Sequence, residues 1–467
     1  MPNTSLETIV ALCKRRGFVF PTSSIYGGLA NSYDYGPLGS QLLKNIKDAW
    51  WKEFVSYRTD MVGLDSQIML HPETWVASGH VHSFNDPLVE DVKTQKRYRA
   101  DHLIKNWLES QENAQKAVPS IVIEDLTIEE MGAFIEKHAI TSPDGNPVTA
   151  PKVFNLLFET AIGTVAGEKA KVYLRGETAQ GIFSNFTNIL DSTRVQLPFG
   201  VGQIGKSFRN EITTGQFVFR TLEFEQAEIE YFFNPEQTEW EPLFEQWQNA
   251  MWSFVTKSLG LSEEHLRWRN HTPKELSFYS KMTQDLEYNF SFGWSEMWGI
   301  AYRTDYDLTQ HMKHSGQDMS YRDPQSGKVF VPHVIEPAAG IARFFLATLS
   351  NAYWEDVENN RTVLKLPKRL APYTVAVFPL LKNKPELVEI AQQVYSSLQK
   401  QYPTAWDSRG NIGKRYLYQD EIGTPYCVTV DFDTLTDNCI TVRDRDTTKQ
   451  ERVSLDKLDA YLRSMVE

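Results

Sequence analysis

Cysteine is scarce in this chain, because among 467 residues only Cys13, Cys427 and Cys439 occur, far apart in sequence. So few and so scattered cysteines exclude a disulfide framework and a cysteine-rich zinc site. Long apolar runs are also missing: no stretch of about 18 apolar residues occurs, and the N-terminus has no apolar signal core. These absences predict a protein of the reducing cytoplasm that has no membrane segment.

Positive charge is the third deficit. The 48 lysines and arginines are outnumbered by 60 aspartates and glutamates, which gives a net charge of −12. The whole-chain charge therefore argues weakly against a nucleic-acid partner, although a local basic surface can still bind RNA. The chain does contain 41% hydrophobic residues, an ordinary globular content, and its length predicts two or three domains with large cores.

The stretch 204–231 contains two strand-like runs around a glycine-containing link at 213–216, which predicts an antiparallel hairpin with a long loop. Strand alternation collects charged and aromatic side chains on the faces of this hairpin: Arg209, Glu211, Arg220, Phe224 and Glu228. Arginine forks bind phosphate, a flat ring stacks on a base, and a carboxylate accepts from an exocyclic amine, so these residues suit a nucleotide. A surface hairpin with cross-strand salt bridges explains the same spacing.

These residues resemble the second signature motif of class II aminoacyl-tRNA synthetases. Four further motifs resemble those of the glycyl-tRNA synthetase family of the homodimeric type: YDYGPLG at 33–39, RADHL at 99–103, ETAQGIF at 177–183 and RTDYDL at 303–308. The resemblance runs from about Gly17 to the C-terminus, and several ordered motifs are far more specific than any one of them.

The resemblance implies an α+β fold, with a class II antiparallel sheet flanked by helices and a C-terminal α/β anticodon-binding domain. The expected catalytic domain spans 1–370, with insertions at about 85–150 and 234–275, and the anticodon-binding domain spans 371–467. Alternating strand and helix patterns after Leu370 support this boundary. The polar part of the first insertion, 110–150, is expected to reach toward the tRNA.

Periodicity and turn residues predict individual elements. In the first domain we expect helices at 4–16, capped by Thr4, from Pro37 onward, near 128–138 and at 234–261, and strands at 61–64 and 68–70. In the second we expect strands at 374–378, 405–407, 426–431 and 439–443, helices at 385–401 and 455–466, and mixed structure at 412–420. The helix that begins at Pro37 resembles the first class II motif, which builds the dimer interface in that family; ordinary core packing is the alternative.

The resemblance implies an enzyme that activates glycine with ATP to glycyl-adenylate and transfers glycyl to the 3′ end of tRNA(Gly), with Mg²⁺, as a cytoplasmic homodimer. The attacking glycine carboxylate is already nucleophilic at neutral pH, so no general base is needed. Catalysis must then come from positioning and charge neutralisation, which calls for arginines and Mg²⁺ ligands.

By resemblance, Arg209 and Arg343 are the catalytic residues, which hold the α- and γ-phosphates of ATP. Glu211 would accept from the adenine amine, Phe224 would stack on adenine, and Arg220 would contact the triphosphate or the glycine carboxylate. An apolar strand and a tight turn precede Arg343, and the N-terminus of the following helix favours an anion.

Glu336, just before that turn, is the expected Mg²⁺ ligand; a surface carboxylate at a strand end is the alternative. Glycine has no side chain to grip, so its pocket must clasp the ammonium and fill the space of a Cβ. By resemblance the glycine-binding residues are Arg175, Glu177, Glu228, Arg303 and Ala338. Trp294, Trp298 and Tyr302 are candidates for the steric wall, although core packing explains these aromatics equally well.

Three positions depart from the family pattern. Ala338 stands where a serine hydroxyl is usual, Gly176 replaces a proline, and Leu222 replaces an arginine. The first change could cost one neutral hydrogen bond to glycine, about 0.5–1.5 kcal/mol. None of the three removes an arginine of the phosphate site.

Three histidines, at 71, 80 and 82, lie close in sequence but lack a further ligand at family spacing, so we interpret them as structural or substrate-facing. Some relatives hold zinc with paired cysteines before the RADHL motif; the segment 92–96 has none, and we predict no zinc.

In the C-terminal domain, the resemblance assigns anticodon contacts to Arg409, Lys414, Arg415 and Arg443, together with Arg445, and base stacking to Tyr416. Without the resemblance, a solvated face explains them. Two other functions remain open: a class II synthetase for threonine, proline or histidine, and a non-catalytic nucleic-acid-binding accessory subunit. The accessory subunit would be expected to lack Arg209 or Arg343, and both are present.

Overall fold

The computed structural model describes residues 4–110, 123, 126–163, 170–211, 215–273, 275–277 and 279–466. The polar stretch expected at 110–150 therefore lies partly outside the described residues, as do 213 and 214 of the expected hairpin link. Within the described ranges, the helices are all too short or too polar to cross a membrane.

The chain begins with two helices that pack on the central sheet. The elements are α1 (Leu6–Arg16), β1 (Val19–Pro21), β2 (Tyr33–Tyr35), α2 (Pro37–Trp51) and β3 (Met61–Gly63). Ser5, rather than the expected Thr4, caps α1, because its side chain accepts from the backbone N–H of Thr8. Pro37 occupies the first turn of α2 as expected, and a π-helical turn extends this helix to Ser56.

The next block forms a module beside the sheet. Its elements are α3 (Pro72–Ala77), α4 (His80–Ser83), β4 (Asn85–Glu90), β5 (Arg97–Arg99), α5 (Ala100–Ser110), α6 (Ile128–Lys137), β6 (Lys152–Asn155), β7 (Glu159–Ile162) and β8 (Ala170–Tyr173). Strands β5, β4 and β6 pair in that order, and α5 and α6 pack on them around Ile104 and Phe134. The helix predicted near 128–138 is confirmed, whereas residues 68–70 form only a single bridge, Met69 to Leu174.

The central block supplies most of the large sheet. Its elements are α7 (Ala179–Phe183), α8 (Phe186–Ser192), β9 (Phe199–Phe208), β10 (Glu223–Phe233), α9 (Trp240–Ser253), β11 (Leu266–Asn270), β12 (Met282–Phe290), β13 (Gly293–Thr304), α10 (Tyr306–Ser315), β14 (Tyr321–Arg322), β15 (Val329–Phe330), β16 (His333–Gly340), α11 (Ile341–Ala352), β17 (Tyr353–Asp356) and β18 (Arg361–Leu364).

Seven strands of the described chain form the central sheet, in the order β11-β12-β13-β16-β10-β9-β3. Every neighbouring pair is antiparallel except β3 with β9, which confirms the predicted antiparallel sheet. The helices α2, α9 and α11 pack their apolar sides into one core with this sheet, through residues such as Trp50, Trp247 and Phe344. The range 234–275, expected as an insertion, is integral to the sheet, because α9 packs on it and β11 forms its edge.

The C-terminal block has its own core. Its elements are β19 (Val375–Pro379), α12 (Pro385–Leu398), β20 (Thr404–Trp406), α13 (Ile412–Ile422), β21 (Tyr426–Val430), α14 (Thr434–Asp437), β22 (Cys439–Asp444), β23 (Gln450–Ser454) and α15 (Leu458–Val466). The sheet order is β20-β19-β21-β22-β23, parallel for the first three strands and antiparallel for the rest. The predicted α/β character is confirmed; 412–420, expected as mixed, is helix, and β23 was not predicted.

Candidate active site

One cavity of about 300 Å³ opens on the face of the central sheet, next to the first turn of α11. Nine side chains that the sequence assigned to ATP or glycine line it: Glu177, Arg209, Glu211, Arg220, Phe224, Glu228, Glu336, Ala338 and Arg343. The fold therefore brings together residues that are more than 160 positions apart in sequence, as 343 − 177 = 166.

Arg209 follows the end of β9 and enters the cavity between two aromatic rings. The centre of its guanidinium lies 5.1 Å from the Phe84 ring and 5.4 Å from the Phe224 ring. Its Nε donates to the carbonyl of Gly176 at 3.1 Å. In the described part of the chain, no hydrogen bond to protein uses its terminal nitrogens, so the guanidinium can offer both to an anion.

Arg343 lies on the opposite side of the cavity, in the first turn of α11. Strand β16 runs directly into this helix at Gly340, without the tight turn that the sequence suggested. The guanidinium lies 4.6 Å from the Phe219 ring, and Nη1 donates to the carbonyl and to the carboxylate of Glu296, both at 3.0 Å. Glu296 was not singled out in the sequence, where nothing marks it apart from other strand acids.

Arg220 and Glu211 lie outside the strands, since β9 ends at Phe208 and β10 begins at Glu223. Strand alternation therefore does not place them, which corrects that part of the hairpin argument. A 3₁₀ turn at Phe217–Phe219 and the flanking loop bring the two side chains to the cavity, where they lie 3.8 Å apart.

Glu228 and Glu177 form the deep end of the cavity. Glu228 accepts from the backbone N–H and hydroxyl of Thr178 and from the amide of Gln226. Burial, and then repulsion from Glu177, raise the pKa of Glu228 above its ordinary value. Glu177 accepts from Gln180 at 2.9 Å and faces Nε2 of His80 at 3.2 Å. Burial alone would raise the pKa of Glu177, but these contacts outweigh it and hold the pKa below the usual range.

Arg303 lies behind these carboxylates and is not among the residues that line the cavity, which departs from its expected role in binding glycine. Its side chain is 1% exposed and donates to both oxygens of Asp307 and of Glu336, at 2.8 to 2.9 Å. The ring of Tyr279 covers its guanidinium at 3.9 Å. Burial raises the pKa of Glu336 to about 8, against the attraction of Arg303.

Arg175 does not line the cavity either, which departs from its expected role in binding glycine. Its side chain lies against β9. Its guanidinium donates to the carbonyls of Lys206, Ser66 and Gln67, at 2.6, 2.9 and 3.3 Å. A Cβ at Gly205 would come within 2.2 Å of this side chain, so only glycine leaves space for it. Arg175 braces the end of β9.

Small residues, rather than the candidate aromatics, line the cavity where β13 meets β16. Ala338 pairs with Gly299 across β16 and β13, and both line the cavity. Trp298 is fully buried in the core on the other side of the sheet. Tyr302 stacks on Trp240 with their ring centres 4.8 Å apart, so core packing accounts for it too. Trp294 instead lies under the guanidinium of Arg267.

Glu230 was missed by the sequence analysis, although it lies two residues beyond Glu228 on β10. It is fully buried, and neither carboxylate oxygen has a hydrogen-bond partner among the described residues. Burial, and then repulsion from Glu336, raise the pKa of Glu230 well above its ordinary value. Strand alternation predicts the face of β10 on which Glu230 lies, but it does not predict how deeply the side chain is buried.

The basic residues expected to contact the anticodon divide into an exposed pair and a buried pair. Arg409 is exposed, and Lys414 is exposed at the first turn of α13. Arg415 and Arg443 are buried, which corrects the expectation that they contact RNA. Arg415 donates to the carbonyl of Pro379 at 2.6 Å, and Arg443 donates to both oxygens of Asp420 at 2.7 and 2.9 Å.

Arg445 and Tyr416 also turn inward. Arg445 is 2% exposed and donates to the carbonyls of Gly423 and Leu366. The Tyr416 hydroxyl lies 2.6 Å from that of Thr429. No group of three or more histidine, cysteine, aspartate or glutamate side chains suited to a metal ion occurs among the residues that the structure describes.

The comparisons with known proteins agree with these two parts of the chain. Residues 164–352 match the tRNA synthetase class II core domain (G, H, P, S and T), and residues 374–465 match an anticodon binding domain. A glycine–tRNA ligase of Caldanaerobacter subterraneus subsp. tengcongensis is 50% identical over 463 residues, 98% of each chain. Those of Clostridium tetani and Bacillus anthracis are each 48% identical over 99% of both chains.

Proposed function

Since the chain belongs to the glycine–tRNA ligase family of class II aminoacyl-tRNA synthetases, we propose that this cavity activates glycine with ATP and that the glycyl group then passes to the 3′ end of a tRNA(Gly). The observation that carries the proposal is the convergence of Arg209 and Arg343 on one cavity whose deep end holds Glu177 and Glu228.

In the first step, a glycine carboxylate oxygen attacks the α-phosphorus of ATP and pyrophosphate leaves. Arg209, with its terminal nitrogens available, neutralises the charge that develops on the α-phosphate. Arg343 holds the γ-phosphate of the leaving pyrophosphate. The Phe224 ring stacks on adenine, and Glu211 accepts from its amine. In the second step, a 3′-terminal hydroxyl oxygen of the tRNA attacks the glycyl carbonyl and AMP leaves.

Glycine recognition rests on charge and on restricted space. Glu177, Glu228 and Glu336 line the deep end, so an ammonium there meets several acid groups that burial makes unfavourable on their own. Ala338 and Gly299 line the cavity on neighbouring strands, and we expect a substrate Cβ to meet this part of the wall. This geometry favours glycine over threonine, proline or histidine, and the two arginines favour catalysis over an accessory role.

Mg²⁺ would be held by protein carboxylates and would neutralise part of the phosphate charge of ATP. Glu336 fits this role poorly, because it is buried and both its oxygens accept from Arg303. The carboxylate of Glu296 lines the same cavity next to Arg343 and is 45% exposed, so it is the better candidate.

We also propose that the chain acts as a homodimer in the cytoplasm. Ile25, Tyr26 and Leu29, in the connection between β1 and β2, are exposed by 85%, 86% and 60%, which is unusual for large apolar side chains close together in sequence. Arg409 and Lys414 are the remaining candidates for contacts to the tRNA anticodon. Sedimentation analysis of the purified chain tests the dimer.

The function is tested by amino-acid-dependent ATP–pyrophosphate exchange, run with glycine, alanine, serine, threonine, proline and histidine. We expect exchange with glycine to exceed that with every other amino acid. The variant Arg343→Ala should lose it, whereas Arg463→Ala, a change at an exposed arginine of α15, should keep it. Faster exchange with another amino acid, or parental exchange by Arg343→Ala, would overturn the proposal.

A further inference from the structure

A short segment, residues 78–84, lies behind the cavity wall and contacts Glu177 through His80 and Arg209 through Phe84. The end of β6 holds its backbone, because the Asn155 amide donates to the carbonyls of His80 and Val81 at 3.2 and 2.9 Å. The backbone N–H of the next residue, Leu156, donates to the carbonyl of Phe84 at 2.9 Å. Hydrogen bonds therefore hold the backbone of the segment at His80 and at Phe84.

His80 holds a glycine-site carboxylate from behind. Its Nε2 lies 3.2 Å from Glu177 and its Nδ1 lies 2.9 Å from the Ser78 hydroxyl, so both ring nitrogens have partners. The rings of Trp75 and Phe84 enclose the imidazole, with centres 5.4 and 5.1 Å away. Since Gln180 binds the other Glu177 oxygen, the carboxylate is held from two sides.

Phe84 packs against Arg209, the arginine proposed to bind the α-phosphate. Its ring lies 5.1 Å from the guanidinium of Arg209 and forms a sandwich with Phe224. Gly176 provides the space for it, because a Cβ there would lie 3.2 Å from the Phe84 ring and 3.1 Å from Leu157. The Gly176 carbonyl also accepts from Arg209, so this one glycine serves both contacts.

We propose that residues 78–84 form a positioning segment for both substrates: His80 orients Glu177 toward the glycine ammonium, and Phe84 orients Arg209 toward the α-phosphate. The inference rests on the proposed function. Neither side chain lines the cavity, so both act through the residue they contact. A displacement of about 1 Å in such a residue can cost up to a hundredfold in rate, which makes the effect measurable.

The test is the separate dependence of pyrophosphate exchange on glycine and on ATP. His80→Leu should raise the KM for glycine about tenfold and leave the KM for ATP within about twofold, because only Glu177 loses a hydrogen-bond partner. His80→Gln, whose amide can still donate, should recover most of the loss. Phe84→Ala should instead lower kcat about tenfold and raise the KM for ATP, and Phe84→Tyr, which keeps the ring, should remain near the parent.

Two further variants separate positioning from general destabilisation. Gly176→Ala should mimic Phe84→Ala, because its methyl group pushes against the same ring. Phe134→Ala removes a buried ring of the same module at a distance from the cavity, and should lower the melting temperature with parental kinetics.

The positioning role is overturned if His80→Leu and Phe84→Ala change the two KM values together, or leave every parameter at the parental value. If the parent itself shows no glycine-dependent exchange, the proposed function fails. If the parent is active but His80→Leu and Phe84→Ala do not differ in which substrate's kinetics they change, only the positioning role fails.

Discussion

Five buried acids surround the guanidinium of Arg303 beneath the cavity: Glu177, Glu228, Glu230, Asp307 and Glu336. One arginine cannot balance five carboxylates, and uncompensated charge in a buried place is costly. The raised pKa values of Glu228, Glu230 and Glu336 are the consequence. In the proposed function, the glycine ammonium would add positive charge to this group of residues.

Glu230→Gln should remove a pH dependence of stability. Because the folded-state pKa of Glu230 is raised, the parent gains stability from the protonated acid at low pH and loses it as the pH rises above 4.5 toward that raised pKa. The variant lacks this pH dependence, which can reach about 1.4 kcal/mol of unfolding free energy per pH unit. Its melting temperature relative to the parent should therefore increase between pH 5 and pH 8.

The matched control is Glu389→Gln on the exposed side of α12. It should show no such increase, because its side chain is not buried. A constant difference between Glu230→Gln and the parent across the pH range would show that Glu230 is ionised in the folded protein.

Ala338→Ser should strengthen glycine binding. The added hydroxyl can donate or accept one hydrogen bond in the cavity, worth about 0.5–1.5 kcal/mol, so the KM for glycine should fall about two- to tenfold. Ala338→Val fills the space beside Gly299 instead, and should raise the KM for glycine. An unchanged KM in both variants would place glycine elsewhere.

At this scale the sequence identified the side chains better than their environments. Arg209, Arg343 and Glu228 could be assigned from motif resemblance. Arg175 and Arg303 carry the same chemistry, yet they are buried behind the cavity wall. The sequence does not show burial of this kind, because it depends on the register between β10, β13 and β16 and on the space left by residues such as Gly205.

Elements meet most closely where α2 crosses the start of β1. A Cβ on Gly39 would come within 1.8 Å of the carbonyl oxygen of Phe18, so the helix and the chain before the strand touch backbone to backbone. The buried side of α2, with Leu42, Ile46 and Trp50, then fits the core of the central sheet.

Gly39→Ala should therefore destabilise the fold by about 1–3 kcal/mol, since the helix must move away from Phe18. Gly413→Ala, in helix α13, is the matched control, because the nearest atom to its Cβ is 3.6 Å away. That change should be neutral or stabilising by about 0.5–1 kcal/mol, through the better helix propensity of alanine. Urea unfolding measures both, and equal effects of the two substitutions would contradict the close packing.

Local signals predicted elements best where a special residue marks the boundary. Pro37 begins α2 and Gly17 ends α1, as expected. The π-helical turn at Lys52–Ser56 has no such residue, because it follows from the packing of Phe54 and Val55 into the core. Residues 68–70 have the apolar character of a strand but lack a neighbouring strand along their length.

A buried ionic cluster joins the C-terminal block to the β17–β18 strand pair. Asp420, on α13, accepts from Arg361 of β18 at 2.8 Å and from Arg443 of β22 at 2.7 Å. The next residue, Glu421, is held between Arg15 and Arg16 of α1. Burial alone would raise the pKa of Glu421, but the bonds from Arg16 and Arg15 hold it below its ordinary value, so this contact is present at neutral pH and lost in acid.

Asp420→Asn should loosen the contact between the C-terminal block and β18 and lower the free energy of unfolding by about 3 kcal/mol, because buried Arg443 loses its counter-ion and Arg361 keeps only Asp356. Asp437→Asn is the control, since its partner Arg452 and the aspartate itself are partly exposed; it should cost less than about 1 kcal/mol. Calorimetry measures both changes. Equal, small effects would mean that the cluster does not stabilise the folded chain.

At the scale of the molecule, the sequence predicted the class of both sheets, since alternating strand and helix patterns begin after Leu370. It predicted the amphipathic helix α9, but not that β11 forms an edge of the central sheet, because a strand's own residues do not show which strand it pairs with. Nor did it predict the cluster around Asp420, whose partners are distant in sequence.

The most direct test is a crystal structure with glycine and a non-hydrolysable ATP analogue bound together. We expect the α-phosphate within hydrogen-bond distance of Arg209, the γ-phosphate at Arg343, and the glycine ammonium between Glu177 and Glu228. A triphosphate bound outside this cavity, or an ammonium that contacts neither glutamate, would contradict the proposed convergence of the two arginines on a single nucleotide.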